Sequence, residues 1–227
     1  MKILCISDQI DPVVYTDAVK ARFGDIDLIL GAGDLPFEYL DFIVSSLNKP
    51  LLFVLGNHDP NPSRKKSPFQ RTGAASCGAI PIGSRIRVEE GLIFAGLGGS
   101  MRYNNGDNQY TEGEMRLSIL KILPALLFNR LFRGRFLDVL LTHAPPFGIH
   151  DRPDRCHRGF KPFLWFMRTF KPKYLIHGHI HLYDLSETRV SRYHATSVIN
   201  AYGHYVIDIP QPPARLRRFH KRPDTRL

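Results

Sequence analysis

Polar side chains that can bind metals stand at the ends of several apolar runs in this 227-residue sequence. They are Asp8, Asp34 in "GAGD", Asn57-His58-Asp59 in "GNHD", His143 in "THAPP", and His179 and His181 in "GHIH". A single histidine or a single Gly-Asp pair usually has a structural explanation, but several such run ends, most of them next to glycine or proline, are hard to explain as turns. Carboxylate, carboxamide and imidazole groups together suit divalent transition metals. The sequence therefore predicts a metal site.

The apolar runs that precede these residues have the length and composition of buried strands. The predicted strands are "KILCI" (2–6), "IDLILG" (26–31), "LLFVLG" (51–56), "FLDVLLTH" (136–143) and "YLIHGHIH" (174–181). Helical spacing at 13–23 and 36–47 separates the first three strands and predicts parallel crossovers. Because the carboxyl ends of parallel strands meet at one sheet edge, the candidate ligands should gather there. His179 and His181 are two residues apart, so on an extended strand they would point the same way.

The remaining segments predict further strands and helices on one continuous domain. Residues 60–78 and the stretch around "YNNGDNQY" (103–110) are predicted loops, while 79–88, 92–97, 195–200 and 204–209 are predicted strands. A helical stretch covers about 111–132, and Pro124 is expected to kink or split it. The predicted strands would form two sheets, with the helices packed on the outer faces of the sheets. We predict one domain over residues 1–209, followed by a basic tail at 210–227.

The ordered motifs resemble those of the calcineurin-like metallophosphoesterase superfamily. "GD" (33–34), "GNHD" (56–59), "TH" (142–143) and "GHIH" (178–181) carry the resemblance, which spans residues 4 to about 184. It implies an α/β fold, a four-layer αββα sandwich of two mixed β-sheets flanked by helices. It also implies a site for two divalent metal ions, such as manganese, iron or zinc, at the carboxyl edge of the sheets.

The resemblance also implies a role for each matching residue. Asp34 would bridge the two metals. Asn57, His143 and His179 would complete one coordination sphere, and Asp8 with His181 would contribute to the other. His58 would contact the substrate phosphate and assist the leaving oxygen, while Asp59 would orient His58. Two cations about 3.5–4 Å apart can clamp a phosphoryl group and acidify a water. Glycines beside Asp34, Asn57 and His179 would let the backbone approach the metals closely.

The opening motif departs from the family pattern, which is Asp-x-His. This chain has Asp8-Gln9-Ile10, and isoleucine cannot replace an imidazole. Three outcomes are open: a dinuclear site with one weakened metal, a mononuclear site, or substitution by the nearby Asp11. On a straight strand Asp11 would face away from Asp8, which makes substitution the least favoured outcome.

A second polar cluster, "GIHDRPDRCHRGF" (148–160), follows the "TH" motif. In the resembling family this segment borders the metal site, so it would form a substrate wall. Guanidinium groups suit phosphate oxygens. We predict His157 and Arg158 as substrate-binding residues. The alternative is an exposed loop held by salt bridges.

Composition restricts location and partners. The net charge is +10, and the tail 210–227 carries six Arg/Lys against one Asp. Such a tail is usually solvated, and binding to nucleic acid or to an anionic surface is the alternative. Three scattered cysteines predict no disulfide framework, and we expect a cytoplasmic protein without a transmembrane segment or signal peptide.

The apolar segment 117–135 also contains Lys121, Arg130, Arg133 and Arg135. It could lie on a membrane surface. Packing against the sheet is the favoured prediction, because apolar stripes of this kind usually belong to a core.

The sequence thus predicts a metallophosphoesterase, which would hydrolyse a phosphate monoester or diester by direct water attack at a mono- or dinuclear site. Two alternatives stay open at this point: a non-catalytic scaffold with a vestigial metal site, and a nuclease that acts through the basic tail.

Overall fold

Two large β-sheets stack face to face in the computed structural model, which describes residues 1–60, 78–184 and 186–210. The strands are β1 Lys2–Ser7, β2 Leu28–Gly31, β3 Leu51–Phe53, β4 Ile80–Pro81, β5 Arg85–Glu89, β6 Leu92–Leu97, β7 Ser100–Met101, β8 Gln109–Tyr110, β9 Val139–Thr142, β10 Tyr174–His177, β11 Val190–Tyr193, β12 Thr196–Asn200 and β13 Gly203–Asp208. The helices are α1 Val19–Phe23, α2 Phe37–Leu47, α3 Glu112–Arg133 and α4 Lys161–Phe170. The predicted tail lies almost wholly outside the described residues.

Both sheets are mixed, and their parallel centres create the edge at which the site forms. The first sheet has the order β13-β1-β2-β3-β4, with only β13 antiparallel to its neighbour. The second has the order β11-β12-β10-β9-β6-β5, with antiparallel pairs only at its two margins. β12 ends in the second sheet and β13 begins in the first, so the chain crosses between sheets near Gly203. Parallel pairing aligns the carboxyl ends of β1, β2 and β3, as it does those of β9 and β10.

Alternating side chains on the strands build the four layers. On β1, Ile3 and Cys5 face the second sheet and pack in one cluster with Phe94 of β6. Leu4 and Ile6 face the other way, against α1 and α2. The outer face of the second sheet packs against α3 and α4. The predicted αββα sandwich is confirmed, because the central strands alternate between the inter-sheet core and a helical layer.

Helix α3 begins at a capping box and continues through its proline. The Thr111 side chain accepts a hydrogen bond from the Glu114 N–H, and the Glu114 side chain accepts from the Thr111 N–H. Of the two effects predicted for Pro124, a kink or a split, the split does not occur, since the helix is continuous over Glu112–Arg133. Pro124 lies on the exposed side. The Leu120 carbonyl that loses its helical donor can therefore be hydrated.

The predicted helix 36–47 is confirmed as α2, and the helices differ from the sequence predictions at two other places. Only Val19–Phe23 of the predicted helix 13–23 is helical, because the Asp11 side chain and carbonyl accept the N–H groups of Val13, Val14 and Tyr15 in a local turn. Helix α4 was not predicted. Its signals are Pro162 in the first turn and the apolar spacing of Phe163, Phe166 and Phe170.

Candidate metal centre

Three of the predicted metal ligands occupy left-handed backbone positions just beyond strand ends. The φ angles are 63° at Asp8, 55° at Asp34 and 66° at His179. Tight turns accompany two of them, since the Gln9 N–H donates to the Ser7 carbonyl (2.7 Å) and the Ile180 N–H to the Gly178 carbonyl (2.8 Å). The expectation of an extended strand through these positions is therefore wrong. Alternation along a strand relates neither Asp8 to position 10 nor His179 to His181.

The centre of the site joins one carboxylate and two imidazoles. Ligand atoms of Asp34, His143 and His179 all lie within 4.8 Å of one another. His143 is fully buried, and its Nε2 lies 3.1 Å from Asn57 Oδ1 and 3.3 Å from Asp34 Oδ2. The structure thus brings together all four residues that were predicted around the complete metal sphere.

Hydrogen bonding of His143 shows that this arrangement fits a cation. Nδ1 lies 2.7 Å from the Ala32 carbonyl, which can only accept, so Nδ1 carries a proton. In the neutral ring the Nε2 lone pair would then face the Asn57 and Asp34 oxygens, which would be repulsive. Either a second proton or a metal ion at Nε2 removes the conflict. Imidazole, carboxylate and amide oxygen are appropriate ligands for a divalent transition metal.

Electrostatics at the same residues favour positive charge. Burial by itself would lower the pKa of His143, but the neighbouring Asp34 carboxylate outweighs it and raises that pKa to about 9. Burial by itself would raise the pKa of Asp34, but His143 outweighs it and brings that pKa to about 2. Asp34 is therefore ionised at neutral pH, as a metal ligand must be.

His179 provides a neutral imidazole beside this pair. Burial, followed by repulsion from His143, lowers the pKa of His179 to about 3. Its Nε2 lies 2.9 Å from the Cys156 carbonyl, which leaves Nδ1 with the lone pair. The His179 N–H donates to Asp8 Oδ2 (2.8 Å), and burial in turn raises the pKa of Asp8.

Glycines line the loops around the centre, as predicted. A Cβ at Gly33 would lie 2.6 Å from His143 Nδ1, and one at Gly56 would lie 2.7 Å from the His143 ring and collide with the Asp34 carboxylate. A Cβ at Gly178 would collide with the Asp8 carboxylate. No larger residue fits any of the three positions without displacing a candidate ligand.

The second predicted metal sphere is less complete than the first. His181 Nδ1 lies 2.8 Å from the Tyr183 hydroxyl, and its ring stacks on Tyr202 with centroids 4.7 Å apart. Among the described residues, the cluster of converging ligand atoms includes neither Asp8 nor His181. The two side chains flank the centre instead of joining it.

Asp11, the candidate replacement for the imidazole missing at Ile10, has hydrogen-bond partners of its own. Asp11 Oδ2 lies 2.6 Å from His204 Nδ1, and Oδ1 accepts the Val13 N–H at 2.8 Å. Both carboxylate oxygens therefore have partners away from the centre. Ile10 itself is 43% exposed, so it does not pack into a cavity at this position.

The structure keeps His58 at the site but gives Asp59 a different role. The His58 N–H donates to Asp34 Oδ1 (2.8 Å), and the His58 residue is exposed. Asp59 was expected to orient the His58 ring. Its Oδ2 accepts instead from the backbone N–H groups of Asp34 (2.9 Å) and Gly56 (2.7 Å), and no described hydrogen bond joins it to that ring. Asp59 thus connects the two ligand loops.

Two residues of the predicted loop around 103–110 contribute to the site unexpectedly. Buried Asn108 donates through Nδ2 to the carbonyls of Gly56 (2.9 Å) and Asp59 (2.8 Å), and so supports the loop that carries Asn57. The Tyr103 hydroxyl accepts from Asn57 Nδ2 at 3.4 Å. The only sequence signal was a polar, asparagine-rich loop, which is common on surfaces.

The predicted substrate-binding residues separate in the structure. The His157 ring lies beside His179, with centroids 5.3 Å apart, and its Nδ1 pairs with the Asp154 carboxylate at 2.9 Å. Arg158 lies over the Phe147 ring at 5.1 Å. Of the two, only His157 contacts a candidate ligand.

His150 of the same segment also supports the end of β10, through His177. His177 Nδ1 contacts the Gly178 carbonyl, its Nε2 lies 2.9 Å from His150 Nδ1, and His150 Nε2 lies 2.8 Å from the Ser191 hydroxyl. Burial lowers the pKa of His177 to about 3 and that of His150 to about 4, so both rings stay neutral. This chain of hydrogen bonds anchors the loop that carries His179.

Comparisons with known proteins agree with the architecture. A family model described as calcineurin-like phosphoesterase matches residues 1–183. One solved crystal structure has a TM-score of 0.65 and 16% identity, covering 91% of this chain and 94% of its own. The crystal structure of TT1561 of Thermus thermophilus has a TM-score of 0.60 and 13% identity, with 89% of each chain covered. A comparison with curated proteins finds no match. At these identities the solved structures support the fold alone.

Proposed function

The chain belongs to the calcineurin-like phosphoesterase family, and from that premise we propose that it is a working hydrolase of phosphate monoesters or diesters that uses a bound divalent metal ion. The observation that supports this most directly is the convergence of His143 Nε2 on Asn57 Oδ1 and Asp34 Oδ2. A vestigial site would have no need to keep buried groups whose lone pairs oppose one another without a cation.

Asp34, Asn57, His143 and His179 would hold the metal. A divalent cation there would act as a Lewis acid on a phosphoryl oxygen and lower the pKa of a water molecule. Neutral His179 and the Asn57 amide add no negative charge, so they would leave much of that Lewis acidity intact. Manganese, iron and zinc all accept this set of ligands.

The chain's own residues position the substrate and handle the leaving group. The His58 backbone is bonded to Asp34, which holds the exposed His58 beside the centre. We assign His58 as the acid that protonates the leaving oxygen. Asp59 and Asn108 keep the His58 loop in register with the Asp34 loop. His157, next to His179, faces the substrate side in this proposal.

We further propose that a second metal binds more weakly, between Asp34, Asp8 and His181. Ile10 supplies no ligand and the Asp11 carboxylate is bonded to His204, so this metal would have fewer ligands than the first. Titration with manganese after dialysis should show one tight and one weak site. His181→Ala should abolish only the weak site. Ile10→His restores the imidazole of the family's Asp-x-His pattern at an exposed position with room for a ring, so it should strengthen the weak site. Two equally tight sites in the wild type would contradict this assignment.

The experiment that tests hydrolysis compares Asn57→Ala with a matched asparagine variant. Metal content is measured by elemental analysis, and activity with bis(p-nitrophenyl) phosphate and p-nitrophenyl phosphate. Asn57→Ala should lower both bound metal and turnover, by at least about 10²-fold for turnover. Asn105→Ala, at an exposed position, should change neither. A wild type that binds metal and cleaves neither ester would favour the scaffold alternative.

A further inference from the structure

Helix α3 has an apolar outer face opposite to the face that packs on the sheet. The buried face includes Met115, Ile119, Ile122 and Leu126. The outer face consists of Leu117 (59% exposed), Leu120 (51%), Leu127 (54%), Phe128 (55%), Leu131 (77%) and Phe132 (66%). These positions follow helical spacing on the side away from the core. They extend over sixteen residues, and the fifteen steps between the first and the last span about 22 Å at about 1.5 Å per residue.

The extent of this exposed apolar surface on one helix indicates a binding surface. Scattered exposed leucines are ordinary, but a contiguous band is not, since soluble monomers rarely expose such patches without a function. The Phe128 and Phe132 rings pack together, with centroids 4.4 Å apart, and form the centre of the band towards the helix end. Trp165 of α4 is a further exposed aromatic residue (42% exposed).

Basic side chains flank this band. Arg116, Lys121 and Arg130 are exposed on α3, and none of them forms an ion pair with another described residue. The acidic residues of the helix, Glu112 and Glu114, are confined to its first turn. Arg130 also lies over the Phe136 ring at 6.0 Å from its centroid. An apolar stripe with cations along its margins matches the interface of an anionic bilayer, where lysine and arginine reach the headgroups.

Charge favours an anionic bilayer over two other partners for this band, a second copy of the chain and the chain's own basic tail. A second copy of the chain would bring the same basic margins together around a two-fold axis, and the basic tail would add positive charge to positive charge. Anionic lipid headgroups neutralise the margins while acyl chains cover the leucines and phenylalanines. No helix within the described ranges is long and apolar enough to cross a membrane. The band therefore suits a helix that lies in the plane of the interface.

We propose that the outer face of α3 docks the protein on anionic lipid bilayers. Full-length protein is sedimented with vesicles of phosphatidylcholine alone, or of phosphatidylcholine containing phosphatidylglycerol. It should bind the anionic vesicles and should bind less as salt increases. L131E/F132E should lower the partition coefficient by at least about tenfold, since it removes the two most exposed anchors and adds negative charge.

Matched variants give the test its controls. V190E places one glutamate at an exposed apolar position on β11, away from α3, and should bind as wild type does. L117Q/L120Q, at the other end of the band, should weaken binding several-fold. It replaces L131E/F132E as the test if circular dichroism shows that L131E/F132E does not fold. R116Q/K121Q should reduce binding to anionic vesicles.

Three results would overturn the proposal. The first is a wild type that does not bind the anionic vesicles. The second is an L131E/F132E variant that binds them as well as the wild type does, which would assign binding to the tail or another face. The third is a wild-type dimer, seen by light scattering, that L131E/F132E dissociates, which would make the face an interface between copies.

Discussion

Individual residues at this site sit in backbone conformations that are unusual for their types. Asp8, Asp34 and His179 have positive φ. Aspartate tolerates this region better than histidine does, and each such residue costs roughly 1–3 kcal/mol unless its surroundings hold it. The Asp8 carboxylate and the His179 N–H hold each other. These positive φ angles thus orient side chains from two different sheets towards one site.

At the same scale, His58 should act as an acid and not as a ligand. His58→Ala should lower turnover by roughly 10²–10⁴-fold while metal content stays unchanged. The loss should be smaller for p-nitrophenyl esters than for alkyl esters, because a good leaving group needs less protonation. His194→Ala, at another exposed histidine, serves as control. Loss of metal from His58→Ala would make His58 a ligand and remove its assigned role.

Asp11 should stabilise the fold without binding metal. Asp11→Asn replaces the carboxylate that meets His204 at 2.6 Å. It should lower the free energy of unfolding in urea by about 1–3 kcal/mol, the usual range for a disturbed charged hydrogen bond. Elemental analysis should show unchanged metal content. If the variant releases a metal, Asp11 compensates for Ile10 after all.

At the level of secondary-structure elements, short parallel strands end in glycine-containing loops that must pass close to one another. Gly56 follows β3, and its missing side chain leaves room for Asp34, which follows β2. Asn108, in the loop before β8, ties the β3 loop in place through two carbonyls. This part of the site thus depends on three loops: those after β2 and β3 carry ligands, and the loop before β8 carries none.

Gly56→Ala should disable the site although Gly56 has no ligand atom. The new methyl group would overlap the Asp34 carboxylate, so metal affinity and turnover should both fall by at least about 10-fold. Gly83→Ala is the matched control, since a Cβ there meets nothing within 4 Å. Metal binding is followed by calorimetric titration with manganese. Equal affinities in the two variants would show that the Asp34 loop can move aside.

At the scale of the whole molecule, metal binding and folding should be coupled. Binding to the native state alone adds about 2.7 kcal/mol when free metal is about 100 times Kd. For a domain of this size that corresponds to an increase in Tm of about 5–10 °C. In the metal-free protein only a second proton on His143 relieves the repulsion between its Nε2 and the oxygens of Asn57 and Asp34, and a bound metal ion would replace that proton.

The size of this stabilisation should increase with pH. The pKa of His143 is raised from 6.5 to about 9, because the Asp34 charge outweighs burial. In the metal-free protein this contributes stability that is present below about 6.5 and is lost as pH rises through about 9. A metal must displace the Nε2 proton, so its affinity should rise up to about tenfold per pH unit across this range. Thermal unfolding with manganese or with chelator, between pH 6.5 and 9, measures the difference. A pH-independent difference would contradict protonation of His143.

The sequence alone determined the types of the ligands, most strands and the layered architecture. Apolar runs, their spacing and the glycines beside Asp34, Asn57 and His179 are local features, and local features set strand positions and their exposed ends. Four of the six predicted metal ligands converge for this reason. The missing imidazole at Ile10 was equally visible in the sequence.

Only the tertiary structure decided which partner each polar group takes. Asp11 and His204 are 193 positions apart, His181 stacks on Tyr202, and Asp59 bonds to two backbone N–H groups instead of the His58 ring. The outer face of α3 became recognisable only when the opposite face was seen to pack on the sheet. Such choices depend on residues that are distant in sequence and on turns that break strand alternation, and the periodicity of a single segment contains neither.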